Sequence, residues 1–196
     1  AGECQTSQAM ALYYGVFDEA EKQAAFAQLL VLIDECGDRM DLGVLGGRVI
    51  FHVLAEYGYA DLAWSMIVEQ GHPSYGDLAR RGATTLWEYW PEGNHIRSLN
   101  HPMFGAVAAC LFDWLLGMQG TPGYTALRIA PVLPACLNFA RGKRVLPTGE
   151  LAVAWEKKDG EAAFTVTVPE GVPAVLVFGG KEYPLTAGEN RITAAL

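Results

Sequence analysis

Trp87, Glu88, Tyr89 and Trp90 set three aromatic rings around one carboxylate in the segment Gly82-Ala83-Thr84-Thr85-Leu86-Trp87-Glu88-Tyr89-Trp90. An amide and an imidazole, Asn100 and His101, follow in Ser98-Leu99-Asn100-His101-Pro102. A connection between helices ordinarily sheds its aromatics into the core, so their concentration here points to a ligand with both apolar and polar surface. A sugar has that surface. The C–H faces of a pyranose pack on aromatic rings, and its hydroxyls need charged or amide partners to fix orientation. Apolar rings also penalise the charged form of a carboxylate, which prepares it for proton transfer. The same residues admit a plainer reading, in which Trp87 and Trp90 plug the core and Glu88 caps a helix or joins an ion pair.

Other groups carry less chemistry. His52 lies among Phe51, Val53 and Leu54, which suits a core histidine satisfied by its neighbours, and His72 precedes Pro73, where it shapes a turn. Gly43-Val44-Leu45-Gly46-Gly47-Arg48 is glycine-rich like an anion-binding loop, but it lacks the spacing of one and no strand precedes it. Its glycines are expected to let the backbone turn at the rim of a cleft. There is no G-x-S-x-G elbow and no His-x-x-x-His or carboxylate–His cluster at ligand spacing. Acid/base carboxylate chemistry remains, and neither a metal nor a cofactor is expected. Cys4, Cys36, Cys110 and Cys136 are far apart with no C-x-x-C pair, so they are expected to act as buried small hydrophobes.

The elements that must position these groups change in kind along the chain. Apolar spacing is helical through Met10, Leu12 and Tyr13, then Phe26, Leu29, Leu30 and Ile33, with Gly15 and Gly37 at the ends. Further helices are predicted over 49–57 and 60–70, joined through Gly58 as a helical hairpin. A shorter one is predicted over 75–81. An irregular stretch follows over 82–101, and one strongly apolar helix is predicted from Pro102 to Met118. Beyond Gly117-Met118-Gln119-Gly120-Thr121-Pro122-Gly123 the period becomes that of strands: 126–132, 151–155, 163–168, 174–178 and 191–194. Turn residues such as Pro147-Thr148-Gly149, Lys158-Asp159-Gly160 and Gly179-Gly180 separate them. The expected fold class is mainly α with a C-terminal all-β module, an antiparallel β-sandwich or half-barrel, divided as residues 1–120 and 121–196.

With 51% apolar and 18% charged side chains, 196 residues suit one domain or two small ones. No apolar stretch approaches the ~18–20 residues of a membrane span, so no membrane partner is expected. The net charge is −8, with 15 acidic against 6 basic side chains in residues 1–120. Without a basic stripe, phosphate-backbone binding and hence nucleic acid are excluded. Ala106-Val107-Ala108-Ala109-Cys110-Leu111-Phe112 is apolar around nearly its whole circumference, which calls for burial on several sides. Missing neighbours are therefore expected, supplied either by oligomerisation or by an earlier part of a larger helical barrel. The N-terminal residues open directly into an amphipathic pattern without a signal-like segment, as if the chain continued upstream. Cytoplasm, periplasm and secretion are all compatible with it.

Gly82-Ala83-Thr84-Thr85-Leu86-Trp87-Glu88-Tyr89-Trp90, Ser98-Leu99-Asn100-His101 and Phe104-Gly105-Ala106-Val107 together resemble the bacterial α-L-rhamnosidases of glycoside hydrolase family 78. So do Gln5-Thr6-Ser7-Gln8-Ala9-Met10-Ala11-Leu12, Leu42-Gly43-Val44-Leu45-Gly46, Ala60-Asp61-Leu62-Ala63 and Ile129-Ala130-Pro131, in the same order. The resemblance implies an (α/α)6 barrel followed by a β-sandwich, with this chain supplying about the last half of the barrel and the sandwich. It implies inverting hydrolysis of terminal α-L-rhamnose from a glycoside, with Glu88 matching the general base. Trp87, Trp90, Asn100 and His101 match residues that line or approach the rhamnose subsite. The family's general acid belongs to the earlier half, and nothing here matches it. Inversion needs two carboxyl groups about 6.5–9.5 Å apart, so the chain alone is expected to be inactive and, with an open barrel face, to self-associate. Pro102, Met103 and Arg48 depart from the family pattern. A different class of function, a non-catalytic carbohydrate-binding or assembly domain, is the alternative.

Overall fold

Helix α1 (Gln5–Tyr13) buries Gln5, Gln8, Ala9 and Leu12 in the computed structural model, which describes residues 3–90 and 98–196. Helix α2 (Glu19–Asp34) begins at a reciprocal cap. The Asp18 carboxylate accepts from the Glu21 N–H at 3.0 Å, and the Glu21 carboxylate accepts from the Asp18 N–H at 3.2 Å, so two orphan donors are satisfied. The face of α2 carrying Ala25, Phe26, Leu29 and Ile33 turns inward.

The loop after α2 is held from the other helix. The buried Gln5 amide donates to the Leu32 carbonyl at 3.2 Å and the Arg39 carbonyl at 2.9 Å, and its oxygen accepts from the Asp41 N–H at 3.0 Å. Helix α3 (Val44–Gly47) then approaches α1 closely. A Cβ on Gly46 would lie 2.6 Å from Thr6 Oγ1 and 2.8 Å from Leu42 Cβ, so the two helices touch there only because position 46 lacks a side chain.

Helices α4 (Ile50–Glu56) and α5 (Ala60–Val68) form the predicted hairpin, and α6 (Tyr75–Arg80) starts at Ser74, whose hydroxyl accepts from the Asp77 N–H at 2.8 Å. Leu29, Ile33, Met40, Ile50, Phe51, Leu54, Met66 and Phe104 are fully buried in this helical part. The predicted irregular stretch is irregular where it is described; Pro91–Arg97 lie outside the described residues.

The single helix predicted from Pro102 to Met118 is broken up. A 3₁₀ turn (Pro102–Gly105) leads into α7 (Ala106–Cys110) and a π-helical turn (Leu111–Leu115), and Met118 already belongs to a strand. Gly117 enforces the stop. Its φ is +68°, and a Cβ there would collide with the backbone of Ala130 and Pro131, so the helix ends where another segment occupies the space a side chain would need.

By contact density the chain divides into two compact units, Ala1–Ala109 and Cys110–Leu196. The second holds two four-stranded sheets. Strands β1 (Met118–Gly120), β2 (Leu127–Ile129), β6 (Ala174–Phe178) and β7 (Lys181–Leu185) form one, in the order β1-β2-β6-β7. Strands β3 (Phe139–Leu146), β4 (Gly149–Lys158), β5 (Glu161–Val168) and β8 (Gly188–Ala195) form the other, in the order β3-β4-β5-β8.

Alternation explains the second sheet. Leu151, Val153 and Trp155 on β4 and Ala162, Phe164, Val166 and Val168 on β5 are buried, with Trp155 opposite Phe164 and Val153 opposite Val166. Phe164 meets Phe178 of the other sheet at 4.8 Å between ring centroids, and the Trp155 indole donates to the Leu115 carbonyl at 2.8 Å.

Two expectations need correction, and one long strand was not expected. The β module is not wholly antiparallel: β2 and β6 pair in parallel, because the chain leaves β2 to build β3, β4 and β5 of the other sheet before it returns alongside β2. Strand β3 was not legible as alternation. It is an edge strand whose alternate positions are Ala140, Gly142 and Arg144; Gly142 sits against Leu116 and Phe112, and Arg144 lies over the Phe112 ring at 5.2 Å and pairs with Asp113 at 3.0 Å. Of the four cysteines only Cys110 is buried. Cys4 and Cys136 are exposed and Cys36 is half-buried, since three of them fall at helix ends and turns, not on an inward face.

Candidate functional site

The two halves of the aromatic segment lie side by side. The Glu88 N–H donates to the Ser98 carbonyl at 3.0 Å, the His101 N–H donates to the Leu86 carbonyl at 2.8 Å, and the Thr85 hydroxyl donates to the Leu99 carbonyl. Glu88 thus carries one of these bonds itself, on the same irregular run as Trp87 and Trp90, and all three are half-buried. Backbone pairing of this kind fixes a loop that has no helix or sheet of its own to hold it.

Trp90 is the anchor. Its indole N–H donates to the Leu42 carbonyl at 2.6 Å, and its ring sits 4.6 Å from Phe104 and 5.2 Å, edge-on, from Tyr75. The Tyr75 hydroxyl donates to the Phe104 carbonyl at 3.1 Å, which ties α6 to the turn after His101. The core-plug reading thus holds for one side of Trp90, while another side lines an open cleft of ≈ 640 Å³ walled by Thr6, Arg39, Asp41, Leu42, Gly43 and His72 among others. Of the glycine-rich stretch only Gly43 lines this cleft; Gly46 and Gly47 are buried in helix packing instead.

His101 serves its own turn as well. Its Nδ1 accepts from the Met103 N–H at 3.3 Å and caps the 3₁₀ turn at Pro102, so in the neutral ring the proton resides on Nε2, which is left as a donor. Asn100 is exposed, and its backbone N–H reaches the Ser98 hydroxyl at 3.4 Å. His52 is half-buried, not in the core as expected, and lies 5.6 Å between ring centroids from the exposed Tyr13. Glu88, Trp87, Asn100 and His101 do not form part of the wall of the Trp90 cleft.

One ionic cluster escaped sequence reasoning. Asp77 is 1% exposed, and its carboxylate accepts from Arg81 at 2.7 Å and from Arg80, with His72 Nδ1 at 3.6 Å. Burial alone would push the Asp77 carboxyl up, but the hydrogen bonds and charges of Arg81 and Arg80 outweigh it and hold the group below its ordinary value. The signal was present: a Ser-x-x-Asp start at Ser74, followed by arginines three and four residues beyond the aspartate. On the same cleft as His72, hydrogen bonds from Ser7 lower the exposed Cys4 thiol.

Comparison with known proteins places this geometry in context. A family model for the bacterial α-L-rhamnosidase six-hairpin glycosidase domain matches residues 1–115, and one for the bacterial α-L-rhamnosidase C-terminal domain matches residues 117–193. An α-L-rhamnosidase of Formosa agariphila is 33% identical over 179 residues, covering 87% of this chain and 19% of the relative. One from Alteromonas sp. (strain LOR) is 30% identical over 186 residues, covering 89% of this chain and 20% of the relative. The crystal structure of an Aspergillus terreus α-L-rhamnosidase superimposes with a TM-score of 0.91 at 26% identity, over 98% of this chain and 24% of that one. The chain therefore spans about a fifth of the length of the curated relatives it matches. Since the two models account for nearly every residue, and the first contains the whole aromatic–carboxylate segment, the chain belongs to the bacterial α-L-rhamnosidase family.

Proposed function

We propose that the protein carrying this chain removes terminal α-L-rhamnose from glycosides by inverting hydrolysis, with Glu88 as the general base. The observation that supports this most directly is the pairing of residues 85–88 with residues 98–101, which brings the backbone carrying the half-buried Glu88 alongside the backbone carrying the half-buried His101. In this reading Glu88 takes a proton from water as the water attacks the anomeric carbon, on the face opposite the leaving oxygen. Trp87, Trp90, Asn100 and His101 line the rhamnose subsite. The general acid that protonates the leaving oxygen lies outside this chain, so the 196 residues by themselves turn nothing over.

The architecture that goes with this reading is the second half of an (α/α)6 barrel in residues 1–120 and a β-sandwich in residues 121–196, with the earlier barrel half as the obligatory partner. An outward row on α2 supports it: Ala20, Ala24, Ala27 and Val31 recur at helical spacing and are all exposed, a face suited to a neighbouring helix.

The test is Glu88→Gln in the full-length protein. Turnover of p-nitrophenyl α-L-rhamnoside is expected to fall by about 10²–10⁴-fold with KM little changed, and NMR of the wild-type reaction should show β-rhamnose as the first product. An unchanged kcat removes Glu88 from the mechanism. Release of α-rhamnose removes inversion, and a wild type that binds rhamnosides without cleaving them favours the carbohydrate-binding alternative.

A further inference from the structure

Two of the four thiols share one wall. Cys4 and Cys36, far apart in sequence, both line the cleft that Trp90 borders, together with Arg39, Asp41 and His72. Cys4 is exposed and Cys36 half-buried. The Cys4 Sγ lies 3.3 Å from the Ser7 hydroxyl, which also donates to the Cys4 carbonyl at 3.1 Å. Hydrogen bonds from Ser7 favour the thiolate, the form that attacks disulfides, and they outweigh the opposing charge of Asp41. The remaining thiols are placed differently: Cys110 is buried, and Cys136 is exposed in the other compact unit.

The segment carrying Cys36 is fastened to the residue beside Cys4. The Gln5 amide donates to the Leu32 and Arg39 carbonyls, so both ends of the turn that holds Cys36 hang from the start of α1. Within the turn the Cys36 N–H donates to the Ile33 carbonyl at 3.1 Å, Gly37 to Asp34 at 2.8 Å and Asp38 to Ile33 at 3.1 Å. Those bonds run within residues 33–38, and a Cβ on Gly37 would meet nothing within 4 Å, so the turn can shift without displacing a neighbour. That freedom matters because a disulfide needs its two Cα atoms within about 7 Å. We propose that Cys4 and Cys36 are a reversible dithiol–disulfide pair that exchanges with small disulfides such as oxidised glutathione. The Cys4 thiolate attacks one glutathione sulfur, the S–S bond breaks, a mixed disulfide forms on Cys4 and one glutathione thiolate leaves. Cys36 gives its proton to water and attacks the Cys4 Sγ, which closes the Cys4–Cys36 bond and releases the second glutathione thiolate. Two protein thiols are oxidised and one disulfide is reduced. The bond ties the start of α1 to the turn after α2, and it does not depend on the hydrolase reading.

The test is a peptide map by mass spectrometry of the folded full-length protein, incubated with oxidised glutathione and then treated with N-ethylmaleimide to trap the free thiols. The expected product is a Cys4–Cys36 cross-linked peptide, lost again when the oxidised protein is treated with dithiothreitol. Cys36→Ser should abolish the cross-link and leave glutathione on Cys4, because the second step then lacks its nucleophile. Thiols that stay unmodified, separate glutathione adducts on Cys4 and Cys36 in the wild type, or a bridge from either one to a different cysteine each overturn the pair. The wild-type map decides the matter by itself, even where Cys36→Ser fails to fold.

Discussion

Asp77 is a carboxylate withdrawn from water, yet both of its arginine partners reach solvent: Arg80 is 55% exposed and Arg81 36%. Removing it therefore leaves no buried charge behind, and the loss is that of two charge-assisted hydrogen bonds on a half-open site. Asp77→Asn should cost about 1–2 kcal/mol at neutral pH. The pH dependence has a definite sign. Because the folded-state pKa lies below the unfolded one, the contribution is fully present above the unfolded aspartate value of about 3.9 and is lost as pH falls through the lower folded value. Denaturant titrations of wild type and variant across this range should converge in acid; a stability difference that stays constant down to pH 2 would mean that the carboxylate charge is not what stabilises α6. At Glu88 the prediction concerns turnover, not stability, since the residue is half-buried and its backbone, not its side chain, is what the Ser98 bond fixes.

Among the elements, the link between α1 and the loop that follows α2 depends on one side chain. Gln5 satisfies three backbone groups, at Leu32, Arg39 and Asp41, inside a nearly water-free site. Gln5→Leu keeps much of the volume but orphans all three, so a destabilisation of about 2–4 kcal/mol is expected, with faster amide exchange at Asp41. A variant as stable as wild type would show that water replaces the amide. The same loop carries Arg39, Asp41 and Leu42, whose carbonyl receives the Trp90 indole, so Gln5 supports the candidate site from two hydrogen-bonded steps away. The hairpin through Gly58 and the short helix beginning at residue 75 were readable because turn glycines and helical periods are local chemistry. The break near Gly117 was readable from its glycines, but its cause was not, because the obstacle to a longer helix is the backbone of Ala130 and Pro131, thirteen and fourteen residues further on.

For the molecule as a whole, the exposed row of Ala20, Ala24, Ala27 and Val31 on α2 is an apolar helix face open to water. The 196-residue chain in isolation is expected to scatter light as species heavier than its 21.2 kDa, and Ala24→Glu with Ala27→Glu should return it toward the monomer. A monodisperse 21.2 kDa wild type would mean that this face needs no cover.

Local chemistry carried the sequence reading a long way. Helical periods gave way to strand periods near residue 120, the Trp87–Trp90 run and Asn100-His101 marked the candidate site, and the ordered motifs from Gln5 to Pro131 carried the family resemblance, since each is a property of neighbouring residues. What tertiary structure alone decided were matters of residues distant in the chain. The indole of Trp90 finds a carbonyl forty-eight positions away, Asp77 is buried against its arginines beside His72, and β6 returns in parallel to β2 after another sheet has been built. Periodicity reports which face of an element is apolar; which distant backbone group meets that face is set by packing, and packing made Trp90 both a core residue and the wall of a cleft.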